Sequence, residues 1–327
     1  MNFSALLVTI GTLFLMLIVG FVAGKLGIVT SVASKNLSRL IIVIGQPALI
    51  TYSLVKMEYS AADLGIGFKT LGFGLLLHIF LALLSFPCFS WYRDINERKI
   101  SEFAAIFGNV GFIGFPILES TLGARGVFMG AFFVVSFNLV LWTWGIAILA
   151  RKRPDIKLTP KKILLNYGTV PSAIGIAIYL LKGVFPQILS AHSLKVLSAV
   201  SAPFLSCFSY MASLCTPISM LIIGSLLSRR SLKQVLCAGK IYYHAVVKLI
   251  ALPLLICLVM RLVGFGAEWI QFAAIVSAMP SATTVTMLTE IHDITPEYSA
   301  QVVGTNSLFS ILTMPCVIWI AQRIIEL

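Results

Sequence analysis

Apolar stretches of about 20 residues recur along this 327-residue chain with few charges inside them, and each can cross roughly 30 Å of hydrocarbon as a helix. Inside a bilayer every backbone N–H and C=O must find a partner, so only helices and closed barrels span it. Barrel strands alternate apolar and polar residues, whereas these stretches are solidly apolar. The expected fold is therefore an all-α polytopic membrane protein. Ten transmembrane helices are predicted, over 4–24, 37–55, 66–90, 101–120, 126–149, 162–182, 205–227, 236–262, 268–289 and 298–325. Residues 190–203 read as a short interfacial or entry helix ahead of the seventh span. Composition agrees, with 59% apolar and 11% charged residues against about 25% charged in a soluble domain. The first apolar run lacks a basic leader and continues to about residue 24, so it reads as a retained span and not a cleaved signal.

The net charge of +12 would suggest nucleic acid in a soluble chain, but in a membrane protein it marks the cytoplasmic loops. Of the 24 Lys and Arg residues, 16 fall on the side of loops 1–2, 3–4, 5–6, 7–8 and 9–10, and 7 on the other; Lys248 lies within a span. This places both termini outside an inner (plasma) membrane and the hydrophilic segment RKRPDIKLTPKK, 151–162, in the cytoplasm. The six cysteines lie in or beside apolar segments without a CxxC pair, so free thiols are expected, not metal ligands.

The central loop divides the chain into two halves of five spans, 1–150 and 163–327, and the halves resemble each other. FAAI stands at 103–106 and at 272–275, His78/Pro87 parallels His244/Pro253, and Pro47 parallels Pro217, with offsets of 169, 166 and 170 residues. A five-span unit duplicated in tandem must enter the membrane upside down, and inverted repeats are a signature of secondary transporters. In such carriers the substrate sits at mid-membrane between discontinuous helices in matching positions.

The matching positions here are FGNVGFIGFPILES and VSAMPSATTVTMLTE, a register that sets Gly111 opposite Pro280. Proline removes a backbone donor and glycine loosens the backbone, so both segments are expected to unwind near their centres. Unwinding creates helix N-termini at mid-membrane, where free N–H donors and partial positive charge favour an anion. Asn109, Ser281, Thr283 and Thr284 add polar side chains beside Gly111, Gly114, Pro116 and Pro280.

NVGFIGFPIL and AMPSATTVTML resemble the auxin efflux carrier family, which includes plant PIN carriers and bacterial organic-acid carriers. Asn109, Gly114 and Pro116 match the family's Asn…Gly-x-Pro in the fourth span, and Pro280 matches the proline of the ninth. The long central loop of large plant members is absent. The resemblance implies two inverted five-helix repeats whose fourth and ninth spans cross at their breaks. It implies a mobile transport unit of spans 3–5 and 8–10 against a scaffold of spans 1, 2, 6 and 7 that forms a homodimer. The implied substrates are small organic anions, held at the crossing.

Other residues carry two readings each. Lys248 lies near the middle of its span, where a charge is a functional candidate by default; it either supplies positive potential to an anion or pairs with it, or else snorkels into a water-filled cavity or bonds to carbonyls of the broken helices. His78 and His244 relay protons or pack as hydrogen-bonded core groups. Gln46 and Pro47, with Thr216 and Pro217, line the cavity or only kink their helices. Asn138, Asn306 and Ser307 are expected to bond between helices. No carboxylate lies at the centre of any predicted span, which argues against cation exchange. No HExxH, GxSxG or paired Asp occurs, so no catalytic residue, metal or cofactor is expected. The expected function is a carrier of small organic anions, such as dicarboxylates or auxin-like acids, by alternating access. The alternatives are a sodium-coupled carrier of the bile-acid type and a non-transport membrane receptor.

Overall fold

The computed structural model describes residues 3–156, 159, 161, 165–188, 191–229 and 239–326. Every regular element among them is a helix: α1 (Phe3–Lys25), α2 (Ser31–Val55), α3 (Ala61–Phe89), α4 (Ile95–Ile106), α5 (110–122), α6 (124–150), α7 (Thr169–Ile188), α8 (Ala191–Ser213), α9 (Cys215–Leu227), α10 (Gly239–Val263), α11 (Ala267–Ala278), α12 (Thr283–Ile291) and α13 (Pro296–Glu326). Gly123, at φ 63°, separates α5 from α6.

Seven described helices are long and apolar enough to cross a membrane, starting at Ser31, Asp63, Ile117, Thr169, Lys195, Gly239 and Pro296; Gly11–Lys25 and Ala267–Ala278 are apolar but shorter. The count among the described residues is seven and not the ten expected; α4, α11 and α12 run for 12, 12 and 9 residues, each too short to cross alone. Two boundaries also differ from expectation. The sixth predicted span starts at Thr169, not 162, because the Asn166 side chain accepts from the Gly168 and Thr169 N–H groups and fixes the start there. Residue 190 lies outside the described residues, and 191–203 form no separate short helix. Helix α8 runs through Pro203 to Ser213, and the chain is helical again from Cys215.

Close packing follows from small residues. A Cβ added at Gly224 of α9 would lie 2.1 Å from the Leu17 carbonyl oxygen, and one at Gly20 of α1 would lie 2.5 Å from that of Leu221. The two backbones touch, as small residues permit between membrane helices. α2 packs against α7 and α8, α3 against α4 and the α5–α6 segment, and α13 against α10, α11 and α12. The basic loops meet at one end. Lys35 pairs with Asp293 at 2.5 Å, Arg229 with Glu297 at 3.7 Å, Lys240 with Glu97 at 2.5 Å, and Arg153 donates to the His292 carbonyl at 2.8 Å.

Candidate functional site

Helix α4 stops at Ile106 and α11 at Ala278, and the two chains then cross. Phe107 and Met279 are extended, and Gly108 and Ser281 form an antiparallel bridge. The Asn109 N–H donates to the Pro280 carbonyl and the Ala282 N–H to the Phe107 carbonyl, both at 2.8 Å. Each interruption thus supplies hydrogen bonds that the other needs, which lets irregular backbone persist at depth. Gly108 runs close to the second segment: a Cβ there would lie 3.1 Å from the Val276 carbonyl oxygen and 3.4 Å from Met279 Cβ.

The interruption falls at 107–109, ahead of the expected glycines. Gly111 and Gly114 lie in the π turn that opens α5, and Pro116 follows as the second residue of its regular part; the Pro116 side chain lies outside the described ones. A Cβ at Gly114 would meet Met279 Cε at 2.6 Å, so this glycine admits the methionine of the opposite strand.

Helix starts elsewhere differ: α9, after Leu214, and α11, after Gly266, have no side-chain cap. Thr30 caps α2, Ser60 caps α3 and Asp94 caps α4. The N-termini of α5 and α12, after Asn109 and Ala282, have none, and first-turn N–H groups lack intrahelical acceptors. Both termini border one cavity, with Asn109, Gly111 and Thr284 on their side and Gln46 of α2, Asn138 of α6 and Cys215 of α9 opposite. The Gln46 amide donates to Asn138 Oδ1 at 3.4 Å. Asn109 is 2% exposed and its amide nitrogen has no partner, as is true of Gln46 Oε1. The cavity leaves about 40 Å³ of room for water centres, enough for one to a few waters.

The remaining predicted residues lie behind the crossing. Ser281 Oγ donates to the Ala104 carbonyl at 2.7 Å and accepts from the Asn306 amide at 2.7 Å. The same amide lies 3.1 Å from His244 Nδ1, and His244 Nε2 lies 3.1 Å from the Ser101 carbonyl. Accepting at Nδ1 and donating at Nε2 is the pattern of one neutral tautomer, so His244 is a structural hub. His78 donates to Gly74 of its own helix at 2.6 Å and packs among Phe107, Phe133 and Phe137. Neither imidazole borders the cavity. Thr283 is buried with a hydroxyl that lacks a partner.

Lys248 is 1% exposed and sits in the π turn of α10. Its Nζ donates to the Ser277 carbonyl at 3.2 Å and lies 3.7 Å from where a Gly108 Cβ would be. Ser277 is in the last turn of α11, whose carbonyls form the negative end of that half-helix. No carboxylate among the described residues pairs with Lys248. The lysine therefore bonds a carbonyl of the interrupted helix, with its charge just behind the bridge.

A family model described as membrane transport protein matches residues 5–318. This chain belongs to that family, the auxin efflux carriers. Members of the family are membrane transporters, and this carrier is an integral membrane protein. A protein of Rhizobium meliloti named "Putative malonate transporter" is 24% identical over 300 residues, covering 88% of this chain and 86% of its own. An uncharacterised transporter of Methanocaldococcus jannaschii is 22% identical over 310 residues, covering 94% and 96%. In this carrier, sequence reasoning missed Gly108 and Met279, whereas Asn306 links helices as expected. The offset between FAAI and each break carried both, since both breaks begin one to four residues after that tetrapeptide.

Proposed function

We propose that this transporter carries small organic anions, and that the anion binds where the uncapped N-termini of α5 and α12 meet. The supporting observation is the pair of uncapped helix starts on one cavity, beside a buried Asn109 amide without a partner. Free N–H groups and two dipole ends select negative charge. Lys248 adds positive potential from behind the bridge while its ammonium stays bonded to Ser277. Asn109 and Thr284 hydrogen-bond the carboxylate, and Gln46 and Asn138 close the opposite wall. The malonate named for the Rhizobium meliloti relative makes a short dicarboxylate the first substrate to test.

A space of about 40 Å³ is too small for a dicarboxylate, so the conformation described is a closed one. Binding requires the wall that carries Gln46 to separate from the crossing. In this reading α4–α5 and α11–α12 are the broken fourth and ninth spans of a ten-span inverted repeat, and the unit that holds them moves against α1, α2, α7, α8 and α9. The scaffold forms a homodimer, and the loop 151–162 faces the cytoplasm. Thermal stability of the purified carrier tests the binding step, because a ligand of the folded state raises the apparent melting temperature. Malonate and its homologues should raise it, Asn109→Ala should abolish the rise, and equal shifts by carboxylates and by matched inorganic salts would count against the site.

A further inference from the structure

A second concave site lies on the outer face of the bundle. The wall of α3 and the wall of α6 enclose two spaces of about 290 and 510 Å³, which share Ala82, Phe86 and Trp144 and so form one groove. The inner space is apolar and reaches His78, whereas the outer one ends on Glu102 and Arg151. Leu83, Phe86 and Trp144 along it are 68%, 53% and 53% exposed, so the groove opens to the bilayer and not to the protein interior.

Its mouth is basic. Arg151 and Arg98 share the single carboxylate of Glu102, Arg98 at 2.8 Å. The Arg98 guanidinium lies 4.7 Å from the centre of the Phe86 ring, and the buried Lys99 ammonium donates to the Leu149 carbonyl at 3.3 Å. The two guanidinium groups retain donors that Glu102 does not use. Along α6 the groove extends from Val140 to Arg151, eleven residues or roughly 16 Å at about 1.5 Å each. That is about half of the ~30 Å hydrocarbon thickness, the depth of one leaflet.

We propose that this groove is a binding site for one anionic phospholipid. An acyl chain fills the apolar part beneath Trp144, and the phosphate is held by Arg98 and Arg151. Charge complementarity at the mouth and leaflet-deep length select this occupant over a neutral lipid. Basic recesses between membrane helices at headgroup level bind acidic headgroups by the same physics.

Trp144 stands inside the groove and reports its occupancy. The full-length carrier is placed in phosphatidylcholine nanodiscs that contain a fixed fraction of either phosphatidylglycerol or phosphatidylcholine with brominated acyl chains. Quenching is read as the difference between the protein and its Trp144→Phe variant. The expected result is quenching several-fold stronger by the brominated phosphatidylglycerol. Arg98→Gln with Arg151→Gln should bring the two lipids to parity. Because those changes strip Glu102 of its partners, Ala82→Phe provides a second test: it fills the groove floor, leaves every charge in place, and should also remove the preference. Equal quenching by both lipids in the unaltered protein overturns the proposal. So does a preference that survives Ala82→Phe, or a Trp144 that neither lipid quenches.

Discussion

At the scale of single residues, two kinds of buried amide bear on the crossing, one linking neighbouring segments and one open toward the cavity. Asn306 belongs to the first kind, since its amide serves both Ser281 and His244. Asn306→Ala should cost about 1–3 kcal/mol, the usual penalty for stranding a buried partner, read as a loss of thermal stability. Ser307→Ala should cost far less, because that hydroxyl bonds only to its own helix at Val303. Asn109 belongs to the second kind, and its truncation should leave stability nearly unchanged while anion binding is lost. Outside the membrane, Arg153 grips Asp155 through two bonds of 2.9 Å and holds its carboxyl down at about 2. A depressed carboxyl favours the folded state above its ordinary pKa of about 3.9, and loses that contribution only as pH falls toward the lowered value. The pair is therefore ionised throughout pH 5–8, and Asp155→Asn should leave the pH profile of transport in that range unchanged.

At the scale of elements, the crossing is held by backbone. The FAAI repeat and the glycine and proline content led to the right pair of segments, but not to the residue at which each helix stops. Propensity pointed at Gly111 and Pro116, whereas the break is at 107–109 because Asn109 and Ala282 find their acceptors on the other chain. Such partners are 170 or so positions away and leave no local trace in sequence. The cavity was only partly legible for the same reason: Asn109, Gly111, Thr284 and Gln46 border it, whereas Ser281, Lys248 and both predicted histidines face elsewhere. Gly108→Val should block transport with insertion retained, since its side chain would press on Val276 and Met279; uptake alongside membrane yield checks this. Gly224→Leu acts on a different contact. It should destabilise the α1–α9 pair by on the order of 1–3 kcal/mol, seen as a lower melting temperature.

At the scale of the whole molecule, α1 packs on α9 and α2 packs on α7, the pairing that the proposed duplication of spans 1 and 2 as 6 and 7 would produce. Ion pairs join the loops that carry most of the basic residues. The central claim is that the crossing carries an organic anion across the membrane, and it is tested by uptake of radiolabelled malonate into liposomes that contain the purified carrier. The account predicts uptake above empty liposomes that falls at least tenfold in Asn109→Ala at equal insertion. Uptake indifferent to that substitution, or no uptake of malonate, longer dicarboxylates, monocarboxylates or indole acids, would contradict it.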